Sequence, residues 1–217
     1  MKAKIAIIKR NFSSALVALI ITLIVVILST TSSTSSIAIS RGNYTWLYII
    51  MLPFFVVFYN FKKLINLGAS KKDYYIGSMG LYLLSAIVVS LANTVIHISI
   101  DKWNTSQTVV NLMDLCGWWQ NGILLAFLQQ TMFLLMIIVF LHVLLSIQEN
   151  WYGWVTDIII VAIICIFTPF APLRHFLVLF FKLVMFNSTA WLHILICLAI
   201  TGVLYFIGLL SLKNKTL

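Results

Sequence analysis

The stretch GILLAFLQQTMFLLMIIVFLHVLLSI, residues 122–147, decides the fold. It contains no Asp, Glu, Lys or Arg. As a helix at about 1.5 Å per residue it is close to 40 Å long, more than the roughly 30 Å of hydrocarbon in a bilayer. Five further apolar runs flank it, over 13–29, 45–61, 76–98, 154–171 and 190–212. Each is bounded by polar or charged residues, and each is about the length one crossing requires. The composition agrees. Of 217 residues, 62% are hydrophobic and only 9% charged, where a soluble domain has about a quarter charged. The mean hydropathy is +1.08. A soluble globular domain, a disordered chain and a nucleic-acid-binding domain are thereby excluded, despite a formal charge of +9.

The expected fold is an all-α integral membrane protein of six transmembrane helices. The whole chain, 1–217, reads as one transmembrane domain. An amphipathic interfacial helix occupies 1–12, with Met1, Ile5, Ile8 and Phe12 at helical spacing and Lys2, Lys9 and Arg10 between them. The six-span bundle fills 13–212, and a tail follows over 213–217. With the N-terminus inside, the inner segments carry Lys2, Lys4, Lys9, Arg10, Lys62, Lys63, Lys71, Lys72, Lys213 and Lys215. The outer segments carry only Arg41, Lys102, Arg174 and Lys182. Positive charge marks the cytoplasmic side, so both termini are expected there. Pro169 and Pro172 end span five. The apolar segment 176–186, broken only by Lys182, is too short to cross and reads as a re-entrant or interfacial helix. Trp118 and Trp119 suit the outer interfacial belt, Trp151 and Trp154 the inner one, and Trp191 the outer start of span six.

Catalytic motifs are missing: the sequence has no GxSxG, HExxH, CxxC or phosphate-binding lysine loop. No catalytic, metal-binding or cofactor-binding residue is therefore expected on this chain. His97, His142, His175 and His193 lack ligand spacing. Cys116, Cys165 and Cys197 read as buried small apolar residues. Asp157, near the start of span five, suits a helix N-terminus. Polar residues inside spans are costly and default to a functional hypothesis. Asn93 and His97 in span three, with Gln129 and Gln130 in span four, are the candidate lining of a substrate path. Interhelical hydrogen bonding is the plainer role for the same four.

The most informative loop follows span two: FKKLINLGASKKDYYIGS, residues 61–78. Residues 62–67 can form a short helix, which Gly68 can end because glycine adopts positive φ without strain. Ser70 can cap the next helix, with Asp73 completing a capping box. The result is an elbow of helix, break and helix, surrounded by four lysines.

Leu67-Gly68-Ala69-Ser70-Lys71-Lys72-Asp73-Tyr74-Tyr75, followed by Gly77, resembles a segment of the type-2 membrane subunits of ATP-binding-cassette exporters. In that family an "LG-small-S-basic-basic-D-aromatic-aromatic" segment follows the second span. The layout of an amphipathic N-terminal helix, six spans and a re-entrant segment between spans five and six is similar too. This chain departs from the family in carrying no proline after Pro172. The resemblance implies that Leu67, Gly68, Ala69, Ser70, Lys71, Lys72, Asp73 and Tyr74 form the coupling loop that docks on a separate ATP-hydrolysing subunit. It further implies a second permease subunit, identical or paralogous, and a location in the bacterial cytoplasmic membrane among its lipids. ATP and Mg would bind the partner subunit, and the cargo would be an amphipathic or hydrophobic molecule moved outward. The alternatives are a stand-alone membrane immunity or binding protein without ATP coupling and, less well matched, a membrane-embedded enzyme.

Overall fold

A computed structural model describes residues 2–28, 37–103 and 108–214. Met1, Ser29 and the end of the tail, Lys215 included, lie outside the described residues. The first helix, α1, runs from Lys2 to Leu28 without a break. This corrects the expectation of a separate surface helix over 1–12. The polar residues at its expected end do not cap anything. The Asn60 amide donates to Asn11 Oδ1 at 2.7 Å and to Ser14 Oγ at 2.9 Å, and the Asn11 amide donates to Ser78 Oγ at 3.3 Å. Side chains engaged across helices cannot terminate their own, so the helix continues.

After β1 (Ile37–Ile39), the short α2 (Arg41–Tyr44) leads into α3 (Trp46–Phe54). Pro53 lies inside α3 and has no N–H to donate, and the helix widens to π register over Phe55–Asn60 before α4 (Phe61–Asn66). Such widening redistributes backbone groups that a proline frees. The long helix α5 (Lys71–Ile96) continues in π register over His97–Asp101. β2 (Thr108–Val110) then pairs in parallel with β1, Ile37 beside Thr108 and Ile39 beside Val110. After α6 (Leu112–Leu115) and a 3₁₀ turn at Trp118–Asn121 comes α7 (Ile123–Ile147), which is apolar all round and sits at the centre. It packs on α3, on α5 and, most extensively, on α10 (Ala190–Asn214).

Between them, α8 (Trp151–Phe167) and α9 (Ala171–Val184) meet at 117°. Pro169 cannot donate the bond that would extend α8, and Pro172 sits in the first turn of α9, where a missing N–H leaves nothing unsatisfied. The expected re-entrant segment is thus a helix beginning at Ala171 and ending at Val184. Among the described residues, five helical stretches are long and apolar enough to cross a membrane, and six if the bent pair counts as one.

Contacts fix the helix directions. Tyr82 of α5 meets His142 late in α7, whereas His97 meets Trp119 just before α7, so these two helices are antiparallel. His193, early in α10, packs on Phe133 and Trp118, whereas Tyr205 meets Tyr75 at the start of α5. Therefore α10 runs parallel to α7, and α8–α9 carries the chain back between them. The last turns of α10, the α4–α5 break and the Asn11 level of α1 share one end of the bundle.

The outward surface is apolar. Most of α8 faces away from the bundle, and only Gly153 is buried in it. A Cβ on Gly153 would collide with the Ile147 carbonyl, so glycine permits the tight return from α7. Cys116 and Cys197 are buried as expected, but Cys165 is exposed on the outward side of α8. Asp157 is also relocated: α8 starts six residues earlier, with no acidic residue in its first turn. The Asp157 carboxylate instead accepts from Gln148 Nε2 at 2.9 and 3.0 Å, clamping α8 to the end of α7.

Candidate functional site

The elbow forms from local signals. The Ala69 amide donates to the Leu64 carbonyl at 3.0 Å and the Gly68 amide to the Ile65 carbonyl at 2.9 Å. Gly68 has φ +87°. These bonds and the left-handed glycine make a Schellman termination, in which Ala69 packs inward beside buried Leu64. Ser70 then caps α5: its Oγ accepts from the Asp73 amide at 3.0 Å and donates to Asp73 Oδ2 at 2.9 Å. Leu67 stands 72% exposed at the tip. Lys62 pairs with Glu149 at 3.8 Å, and Lys63 lies over the Tyr59 ring at 5.1 Å.

Two tyrosines tie this elbow to the interior. Tyr74 and Tyr75 are buried. The Tyr74 hydroxyl donates to the Val56 carbonyl at 2.9 Å, inside the π-register turn, and its ring meets Phe61 edge-on. The Tyr75 hydroxyl donates to the Tyr205 carbonyl at 3.1 Å, and its ring occupies the space a side chain at Gly208 would fill. Tyr74, Tyr75 and Tyr82 surround His142, whose Nδ1 is 2.7 Å from the Tyr82 hydroxyl. One aromatic pair therefore links α5 to α3–α4, α7 and α10.

The four candidate path residues do not form one lining. Asn93 and His97 belong to a buried network at the far end of the bundle. There Asp101 Oδ2 accepts from Ser40 Oγ at 2.6 Å and from Asn111 Nδ2 at 3.0 Å, and it lies 3.2 Å from His97 Nδ1. Asn111 Nδ2 also donates to Asn93 Oδ1 at 3.1 Å. His97 Nε2 faces Asp114 at 3.4 Å, and the Trp119 ring packs edge-on against the imidazole with Lys102 over it. Gln129 is separate and accepts from Asn121 Nδ2 at 3.0 Å. Gln130 is fully buried, and neither amide atom has a hydrogen-bond partner among the described residues.

Sequence reasoning missed the Asp101 network. The i,i+4 spacing of His97 and Asp101 was its one visible signal; Ser40 and Asn111 come from distant loops brought together by the β1–β2 pair. Trp118 also departs from expectation. It is fully buried rather than interfacial, and its Nε1 donates to the Met185 carbonyl at 2.9 Å. Trp151, Trp154 and Trp191 are exposed. Nearby, burial pushes the Cys116 thiol up to about 12. Among the described residues, no three His, Cys, Asp or Glu are grouped to hold a metal ion. Comparison with family models, with curated proteins and with solved structures finds no match.

Proposed function

We propose that this chain is the membrane permease subunit of a bacterial ATP-driven exporter, working beside a second permease and two separate ATP-binding subunits. The observation that carries this reading is the elbow. An exposed, lysine-rimmed tip is terminated by a Schellman glycine, restarted by a serine cap and joined to the interior through Tyr74 and Tyr75. A push on Leu67 from a docked subunit would meet little local slack. It would reach α7 and α10 through the two tyrosines.

In this reading α8–α9 counts as one crossing, giving six, and the elbow and both termini face the cytoplasm. Ten of the 14 basic residues then lie inside, which supports that orientation. The outward face of α8, with Ile158, Val161 and Ile164 exposed, suits a second permease or lipid. ATP and Mg belong to the partner subunits. Among the four candidate path residues, Gln130 is the one whose burial internal hydrogen bonding does not explain. It is therefore the best candidate for contact with an amphipathic cargo.

The test is a tagged pull-down from native membranes in mild detergent, followed by reconstitution with the ATP-binding subunit that accompanies the chain. Gly68→Pro and Asp73→Lys should abolish cargo-stimulated ATP hydrolysis while both variants still insert. Failure to recover an ATP-binding subunit in several detergents would overturn the reading, as would normal stimulation in both variants.

A further inference from the structure

Two contacts set the register of α2–α3 against α5. A Cβ on Gly42 would collide with Asn93 Oδ1, and the Tyr48 hydroxyl lies 3.2 Å from Ser85 Oγ. Numbers rise along α3 as they fall along α5, so Trp46 stands level with Ser90. Trp46 also packs on Phe133 of α7, with ring centroids 5.6 Å apart. Gln130 and Gln129 precede Phe133 by three and four residues, so they lie on the same side of α7, one turn away. The α5–α7 contact agrees. Tyr82 meets His142, and an equal count along each antiparallel helix brings Thr94 level with Gln130. Three helices therefore meet in one layer, at Trp46, Ser90, Asn93, Gln129 and Gln130.

Hydrogen bonding is incomplete in this layer. Ser90, Asn93, Gln129 and Gln130 are fully buried. Trp46 Nε1, Ser90 Oγ, Asn93 Nδ2, Gln129 Nε2 and both amide atoms of Gln130 are shielded by packing and have no partner among the described residues. The layers on either side are bonded, Tyr82 to His142 toward the elbow and Asn93 Oδ1 to Asn111 toward the Asp101 network. A polar group buried without a partner destabilises the arrangement that buries it, and hydration would restore each missing bond. We infer that this layer takes up water in a second arrangement of α3, α5 and α7, in which the three helices part and Ser90, Asn93 and Gln130 line the opening. Water both donates and accepts, which matches indole and amide N–H groups beside a hydroxyl and an amide oxygen. None of the five side chains is charged, which selects water over an ion. The opening lies within one chain rather than between subunits, and the inference does not rest on the transport reading.

The test is thiol labelling of the full chain in liposomes with a small charged methanethiosulfonate, which reacts with a thiolate where water reaches it. Ser90→Cys replaces a hydroxyl that has no partner among the described residues, so it breaks no bond described here. Native Cys197, equally buried in α10, is the internal control, and mass spectrometry of the digested chain reads both positions. Position 90 should be modified at least about tenfold faster than Cys197. Gln130→Leu added to Ser90→Cys should slow labelling at position 90 by about tenfold, because it removes an amide that gains from hydration. Gln130→Met, close to glutamine in length and without its amide, should do the same. Equal rates at position 90 and Cys197 would overturn the inference, since opening would then be general. Unchanged labelling at position 90 in both Gln130 variants would overturn it as well.

Discussion

Gly68 offers a graded test of the elbow. Its φ is +87°, and among the described residues no atom lies within 4 Å of the position a Cβ would take. Gly68→Ala therefore meets no steric obstacle, and its cost is the backbone strain of a left-handed alanine, about 1–2 kcal/mol. Gly68→Asn tolerates that conformation better, so its cost should be under about 1 kcal/mol. Gly68→Pro is different in kind. Proline locks φ near −65°, removes the amide that donates to Ile65, and displaces the Ala69 amide from Leu64. Two bonds at about 1 kcal/mol each, plus the lost turn, put its cost at about 3 kcal/mol or more. Unfolding of the purified chain in mixed micelles of mild detergent and SDS, followed by circular dichroism, measures the series. The expected order of destabilisation is Pro, Ala, Asn. If alanine and asparagine cost the same, or if alanine costs nothing, the left-handed cap does not hold the elbow.

Other substitutions probe other parts of the molecule. Tyr74→Phe should destabilise by about 1–3 kcal/mol, because it leaves the buried Val56 carbonyl without its donor; the same unfolding assay reads it. Gly42→Ala should weaken the far-end network, because the new Cβ would collide with Asn93 Oδ1. Its cost should exceed about 1 kcal/mol and should shrink in an Asn93→Ala background, which a double-mutant cycle resolves. Gln130→Leu should be neutral or stabilising by up to about 2 kcal/mol, since it removes a buried amide that has no partner among the described residues; a transport assay then shows whether cargo response is lost. Cys116 should react with maleimide at pH 8 about a thousandfold more slowly than a thiol of ordinary pKa, because burial holds it protonated up to about 12. The rate should rise with pH as the thiolate appears, and rapid labelling at pH 8 would contradict its burial.

The elbow was legible because its signals are local. Glycine, a serine cap and an aspartate three residues later act within two turns, with no help from distant residues. The α8–α9 bend was legible for the same reason, through Pro169 and Pro172. Tertiary contacts hid the remainder. Lys2 to Arg10 looked interfacial, yet α1 continues because Asn11 and Ser14 are claimed by Asn60. Trp118 looked like a belt residue, but the Met185 carbonyl gave its indole a buried partner. The widened turn at Phe55–Asn60 is marked only by Pro53 before it, and the one at His97–Asp101 carries no distinct sequence mark. One is bonded across helices through Val56, and the other through Asp101.

The small β1–β2 pair has a mechanical consequence. It joins the approaches to α2–α3 and to α7, and Asp101 stitches the end of α5 to both strands' flanks through Ser40 and Asn111. Three segments are thus pinned at one point, so the bundle has a fulcrum opposite the elbow. From Lys71 to His97, α5 is a rod about 39 Å long. A displacement of roughly 3 Å at its free end corresponds to a rotation of about 4° about that pin. Motion should therefore grow steadily with distance from the clasp, with the greatest amplitude where Lys71 and Lys72 stand and almost none at Ser40.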